Sequence, residues 1–276
     1  MYAASLKNLE EIGININETF LSGEKVEVPL LRGIHVLLQS IGTKGLKLTQ
    51  KGFLPTKIVK SIVEVADTTS DERYSHILTR FYEQEHLSAN MTRLVSEVFK
   101  LTRLQKGKLL LTKKAHTFLS LSSREQYVVL FNIMLGINIG YFDRHQEASC
   151  VHNSSLIMLQ VLRDKERSYR TSEVYTALLI DTYPMIEDSI ESLDILDYGE
   201  KNKLDIFTSI AETRLFERLY LPLGLVTMNP AKYPDADTFA SSELLNSFIT
   251  EKHAINKELL FCKKLVKSLQ DEIKKE

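Results

Sequence analysis

The segment Leu104-Gln-Lys-Gly-Lys-Leu-Leu-Leu-Thr112 decides the fold. Gly107 stands between two lysines, with Leu104-Gln105 before them and Leu109-Leu-Leu111 after, so the segment reads as a strand, a Gly107-centred turn and a second strand, a hairpin with a basic tip. Just before it, Leu87, Met91, Leu94, Val95, Val98 and Leu101 recur at helical spacing, with Ser88 and Asn90 available as caps. A helix that passes directly into a basic hairpin follows the winged-helix order. The unit containing it is expected between about Pro29 and Arg144.

Upstream, Pro29 suits a first helical turn, and Leu30, Leu31, Ile34, Leu37, Leu38 and Ile41 define a helix. Leu46-Lys-Leu-Thr49 alternates as a short strand does, and Pro55 opens a helix with Ile58, Val59, Ile62, Val63 and Ala66 on one stripe. A further helix is expected from near Tyr74, carrying Ile77, Leu78 and Phe81. Downstream, Ser122-Ser-Arg-Glu125 has the spacing of a capping box before an almost wholly apolar helix through Tyr127, Val128, Leu130, Phe131, Met134 and Leu135. The polar stretch from Tyr141 to Asn153 marks a domain junction.

The second half repeats this outline more loosely. Helices are expected from Ser155 to Leu162, around Val174 to Ile180, after Pro184 and from Phe207 to Leu221. A strand in Pro222–Met228 and a return at Thr238-Phe-Ala-Ser241 follow. Beyond Glu251, Ile255, Leu259, Cys262, Val266, Leu269 and Ile273 form an a/d heptad seam, which either pairs with another chain, as in a homodimer, or folds back on its own domain. The expected fold class is therefore mainly α with short β-hairpins: tandem winged-helix-like domains plus a C-terminal amphipathic helix. The expected boundaries are an arm over 1–27, a basic domain over 28–144, an acidic domain over 145–250 and the heptad helix over 251–276.

Composition agrees with this. The 276 residues are 43% hydrophobic and 26% charged, enough for packed cores and long for one small domain. Eleven glycines and six prolines are few, which disfavours an all-β chain. The two cysteines, Cys150 and Cys262, belong to no Cys-x-x-Cys pair, so free thiols in a reducing compartment are expected. No leader and no apolar run of about 18 residues is evident, so a cytoplasmic protein without membrane contact is expected. Net charge is -1, yet its distribution is uneven. Ser40–His116 carries 14 Lys and Arg against 7 Asp and Glu, whereas Gln146–Thr250 carries 9 against 17. Either the first half meets a polyanion or the two halves neutralise one another.

Gly45-Leu-Lys-Leu-Thr-Gln-Lys-Gly-Phe-Leu-Pro55 and Lys108-Leu-Leu-Leu-Thr-Lys-Lys114, with Leu223-Gly-Leu-Val226 later, resemble winged-helix modules of bacterial plasmid and mobile-element proteins of uncertain function. The likeness covers Pro29 to Phe118 and, more faintly, Phe207 to Phe248. Such modules often have Gly where this chain has Ala115. The resemblance implies a winged-helix fold and a place in gene regulation or mobile-element defence, and it carries no catalytic residue.

In a winged helix, cations are wanted on the groove-facing helix and on the wing. The candidates for double-stranded DNA are Arg93, Lys100, Arg103, Lys106, Lys108, Lys113 and Lys114. Lysines on a hairpin also guard an exposed edge, which is the competing reading. His145, Cys150 and His152 match no zinc signature, and no phosphate loop, dinucleotide fingerprint, His-Glu-x-x-His or Gly-x-Ser-x-Gly occurs. No cofactor, metal or enzymatic activity is therefore expected. DNA binding leads, and a protein-interaction subunit of a larger bacterial complex is the alternative.

Overall fold

A computed structural model describes residues 7, 9, 10, 14, 16, 17 and 20, then 25–67, 81–137, 151, 152, 154–164, 168–191, 202–230 and 236–249. The expected helix from Tyr74 through Leu78 and the heptad seam lie outside these residues. The chain divides into two units, Leu21–Met134 and the described residues from Leu135 onward together with Lys7–Phe20. Both are mainly helical, and each contains one small three-stranded antiparallel sheet.

In the first unit, α1 (Pro29–Ile41) starts with proline at its first turn and buries Leu30, Leu31, Ile34, Leu37, Leu38 and Ile41. Strand β1 (Leu46–Lys47) is shorter than the alternating pattern suggests. Helix α2 (Thr56–Ala66) follows Pro55 and buries Val59, Ile62 and Ala66. After a 3₁₀ turn at Glu83–Glu85 comes α3 (Leu87–Val98), and then the hairpin of β2 (Thr102–Gln105) and β3 (Lys108–Leu111). The strand order is β1-β3-β2, so the last strand lies in the middle. Helix, strand, helix, helix and hairpin follow the expected order, apart from the further helix expected from near Tyr74, which falls mainly outside the described residues.

Two details of α3 correct the sequence reading. Ser88 and Asn90 do not cap it, because the helix begins at Leu87 with extended His86 at its N-cap and no side-chain cap bond. Its buried face also runs through Ala89, Met91, Thr92, Val95 and Ser96, while Leu87, Leu94 and Val98 are only half-buried. The reason is a close approach of α1. A β-carbon added at Gly33 would stand 2.4 Å from Thr92 Oγ1 and 3.1 Å from Ala66 Cβ, so only small side chains fit there. Ser96 meets its own hydrogen-bonding need inside the helix, its hydroxyl donating to the Thr92 carbonyl at 2.7 Å.

Helices α4 (Lys113–Leu119) and α5 (Ser123–Gly136) complete the unit. The capping box is present: Ser122 N–H donates to the Glu125 carboxylate at 2.8 Å, and Glu125 N–H to the Ser122 hydroxyl at 3.3 Å. Residues Tyr127 to Phe131 are buried as expected. Gln126 is the polar exception. Its amide donates to the carbonyls of Phe118 (3.1 Å) and Leu121 (3.0 Å), and its oxygen lies 2.7 Å from His35 Nε2, so its burial leaves nothing unpaired.

The second unit holds α6 (Ser155–Asp164), β4 (Arg170–Thr171), α7 (Ser172–Thr182), α8 (Met185–Glu191), α9 (Lys203–Ala211), a π-helical segment at Glu212–Tyr220, β5 (Val226–Asn229), β6 (Thr238–Ser241) and α10 (Glu243–Phe248). Its strand order, β4-β6-β5, repeats the first-last-middle order of the first sheet. Strand β5 begins later than the expected Pro222, because Leu221–Gly224 form a turn and Gly224 has φ +66°. An aromatic cluster fills the core, with Phe216 4.6 Å from Phe239, 5.6 Å from Tyr175 and 5.7 Å from Tyr220 between ring centroids. The buried hydroxyls of Tyr175 and Tyr220 donate to the carbonyls of Phe239 and Ser155. Near the N-terminus, Ile16 bridges Ile249 and Phe20 packs edge-on against Phe248.

Gly33→Ala is expected to lower stability by roughly 1–3 kcal/mol, the range for overpacking a tight contact, as measured by urea denaturation. A variant as stable as the parent would show that α1 and α3 are not in this register.

Candidate nucleic-acid interface

The hairpin turn is made by Lys106 and Gly107, with φ +50° and +72°. Two successive left-handed residues are what a type I′ turn requires, and that turn matches the natural twist of the two strands. The register pairs Leu104 with Leu109 and Gln105 with Lys108, and on the other side of β3 it pairs Leu46 with Leu109 and Lys47 with Lys108. Directly opposed residues share a face, and faces alternate along a strand. Leu46, Leu109 and Leu104 therefore lie on one face, with Leu109 fully buried, while Lys47, Lys108 and Gln105 lie on the other together with Arg103. Lys47, Arg103 and Lys108 are all exposed.

Lys47 was not among the sequence candidates. The alternation Leu-Lys-Leu sets it opposite its apolar neighbours, but only the strand register places it across from Lys108. Like charges directly opposed in a ladder destabilise by several tenths of a kcal/mol. The pair therefore works against the sheet.

The end of α3 makes a second cationic corner. Lys100 has φ +56°, Lys100 N–H donates to the Glu97 carbonyl at 2.9 Å, and Leu101 N–H reaches back to the Ser96 carbonyl at 2.8 Å. This is the Schellman arrangement, in which glycine usually takes the left-handed position. Among the described residues, Lys100 and Lys106 are the non-glycine residues with positive φ. A lysine in place of glycine at such a position costs about 1 kcal/mol. Both are exposed.

Arg93 is placed differently. Its side chain is 16% exposed, and the guanidinium donates to Glu83 Oε2 (3.0 Å), to Glu97 Oε1 (2.8 Å) and to the Gly52 carbonyl (2.8 Å). Burial opposes its charge, but the bonds and charges of Glu97 and Glu83 outweigh that and hold the guanidinium above its usual pKa. Glu83, 6% exposed, also accepts from Leu54 N–H at 2.5 Å. Arg93 thus ties α3 to the 3₁₀ turn and to the Gly52–Leu54 loop through its Nε and Nη1 donors.

Residues 26–125 match the family model described as the Y4jL N-terminal domain. The match to the Y4jL N-terminal domain takes in α1 to α4 and the whole first sheet, and it stops at the glutamate of the α5 capping box. No curated protein and no solved structure matches the chain.

Within this Y4jL-like span, Lys113 is exposed on the first turn of α4, whereas Lys114 is half-buried with its ammonium 4.2 Å above the Phe99 ring. Of the seven residues proposed from sequence, Lys100, Arg103, Lys106, Lys108 and Lys113 reach solvent, Lys114 leans on an aromatic face and Arg93 turns inward. Among the described residues, Lys47, Lys100, Arg103, Lys106 and Lys108 enter no ion pair. Ile255, Leu259, Cys262, Val266, Leu269 and Ile273 lie outside the described residues, as do His145 and Cys150. His152 is described. Its Nε2 lies 2.9 Å from the Leu135 carbonyl, and burial lowers its pKa. No cluster of three metal-ligating side chains occurs among the described residues, and no described helix is long and apolar enough to cross a membrane.

Arg93→Met is expected to destabilise the protein by about 3 kcal/mol or more, because it strands the buried Glu83 carboxylate. Lys108→Gln is expected to change stability by less than about 0.5 kcal/mol. Thermal melts of both variants check the contrast, and equal effects would contradict the division between structural and surface cations.

Proposed function

We propose that the first unit binds double-stranded DNA through the cationic face of its hairpin, and that the heptad segment from Ile255 to Ile273 pairs two chains so that two such units meet one duplex. The observation that carries this reading is the concentration of uncompensated cations in Lys47, Lys100, Arg103, Lys106 and Lys108, four of them, the lysines, at positions that disfavour their own fold. Lysines opposed in a ladder, or held in left-handed backbone, are hard to explain by stability and easy to explain by an anionic partner. Pairing two weak sites raises affinity without any new contact. A role in gene regulation or mobile-element defence in bacteria would fit such a module.

A second reading, a protein-interaction subunit without nucleic-acid contact, draws on Leu104, which is 62% exposed on the edge strand of the same hairpin. Salt dependence separates the two. Each phosphate contact contributes a slope of about -0.9 to log K against log salt, so Lys106→Gln with Lys108→Gln should reduce the slope by about 2. An unchanged slope, or a complex insensitive to salt, would remove the wing from the interface.

For the pairing, the parent chain is expected to sediment as a dimer, and the double variant Leu259→Lys, Val266→Lys as a monomer. A monomeric parent, or a variant that still dimerises, contradicts it.

A further inference from the structure

A helix that reads bases in the major groove must present side chains with free donors or acceptors, typically Arg or Lys to guanine and Asn or Gln to adenine. Helix α3 offers very little of this. Ala89, Met91, Thr92, Val95 and Ser96 are buried, and Leu87, Leu94 and Val98 are apolar. Glu97, its exposed side chain, is held by Arg93 Nε at 2.8 Å and carries the sign that phosphates repel. Arg93, the one cation within the helix, has its Nε and Nη1 donors committed to Glu97, Glu83 and Gly52 and its side chain only 16% exposed. What remains is Ser88 and Asn90, both half-buried in the first turn.

The cations are elsewhere. Lys47 is on β1, Lys100 just beyond the end of α3, and Arg103, Lys106 and Lys108 are on the hairpin. Contacts from such groups to phosphates set position and affinity and carry no base information.

We infer that the first unit holds duplex DNA without reading its base sequence, with Lys47, Lys100, Arg103, Lys106 and Lys108 on the phosphate backbone and no base-specific contact from α3. This rests on the duplex-binding reading above and fixes what kind of binding it is. Affinity then depends on duplex length and salt, and the arginine network keeps α3 rigid as a support for the wing.

The test uses the full chain and fluorescence anisotropy on duplexes of equal length, one AT-rich, one GC-rich and one mixed, together with repeated selection from a random-sequence pool. Affinities are expected to agree within about threefold, where a base-reading protein separates good sites from poor ones by about a thousandfold or more. The pool should yield no motif. Asn90→Ala should alter binding by less than about twofold, and Lys47→Gln with Lys108→Gln should weaken it by a similar factor on every duplex. An enriched motif, or a loss on Asn90→Ala confined to one duplex, overturns the inference while leaving duplex binding intact. Failure to bind any of the three duplexes overturns both.

Discussion

The first unit depends on the junction at which α3 stops and the hairpin begins. Leu101 N–H closes the helix onto the Ser96 carbonyl, and Thr112 N–H donates to the Leu101 carbonyl at 3.0 Å. The Thr112 hydroxyl donates to the Lys100 carbonyl at 2.7 Å and accepts from Ala115 N–H at 3.2 Å. One threonine thus ties the end of α3, the base of β3 and the start of α4 together. Leu101 itself is fully buried, so the chain cannot leave this corner without exposing it. The direction of the hairpin is set here, and with it the placement of every cation the hairpin carries.

Positive charge is used in two ways in the same unit. Arg93 is largely desolvated and tied into the fold through Nε and Nη1, which suits a guanidinium with a fixed fork of donors, whereas Lys47, Lys100, Lys106 and Lys108 are left in water, which suits a strongly hydrated ammonium. Sequence counting treats them alike. The excess over Ser40–His116 is a property of composition, whereas the field that a polyanion meets is set by those charges that keep no internal partner.

The hairpin is legible because its signals are local: a glycine with lysines either side, and an apolar run after it. The capping box before α5 and the first turn of α1 were legible for the same reason. What escaped depends on distant partners. The inward face of α3 follows from Gly33, some sixty residues upstream, whose missing side chain lets α1 come close. Lys47 gains its meaning from Lys108, and Arg93 from Glu83 and Gly52, and none of these pairings has a spacing that periodicity could reveal. Strand β4 is two residues long and has no period at all, so the sequence pattern yields two strands for a second sheet that has three.

The position of β2 at the rim of its sheet gives the same cations another consequence. Among the described residues no strand pairs with its outer edge, and Leu104 there is largely in water, a combination that invites another strand to add on. Arg103, Lys106 and Lys108 surround that opening, and mutual repulsion between two such ribbons opposes their stacking into a continuous sheet. Charge placed to recruit a polyanion would thus also guard this edge against self-assembly.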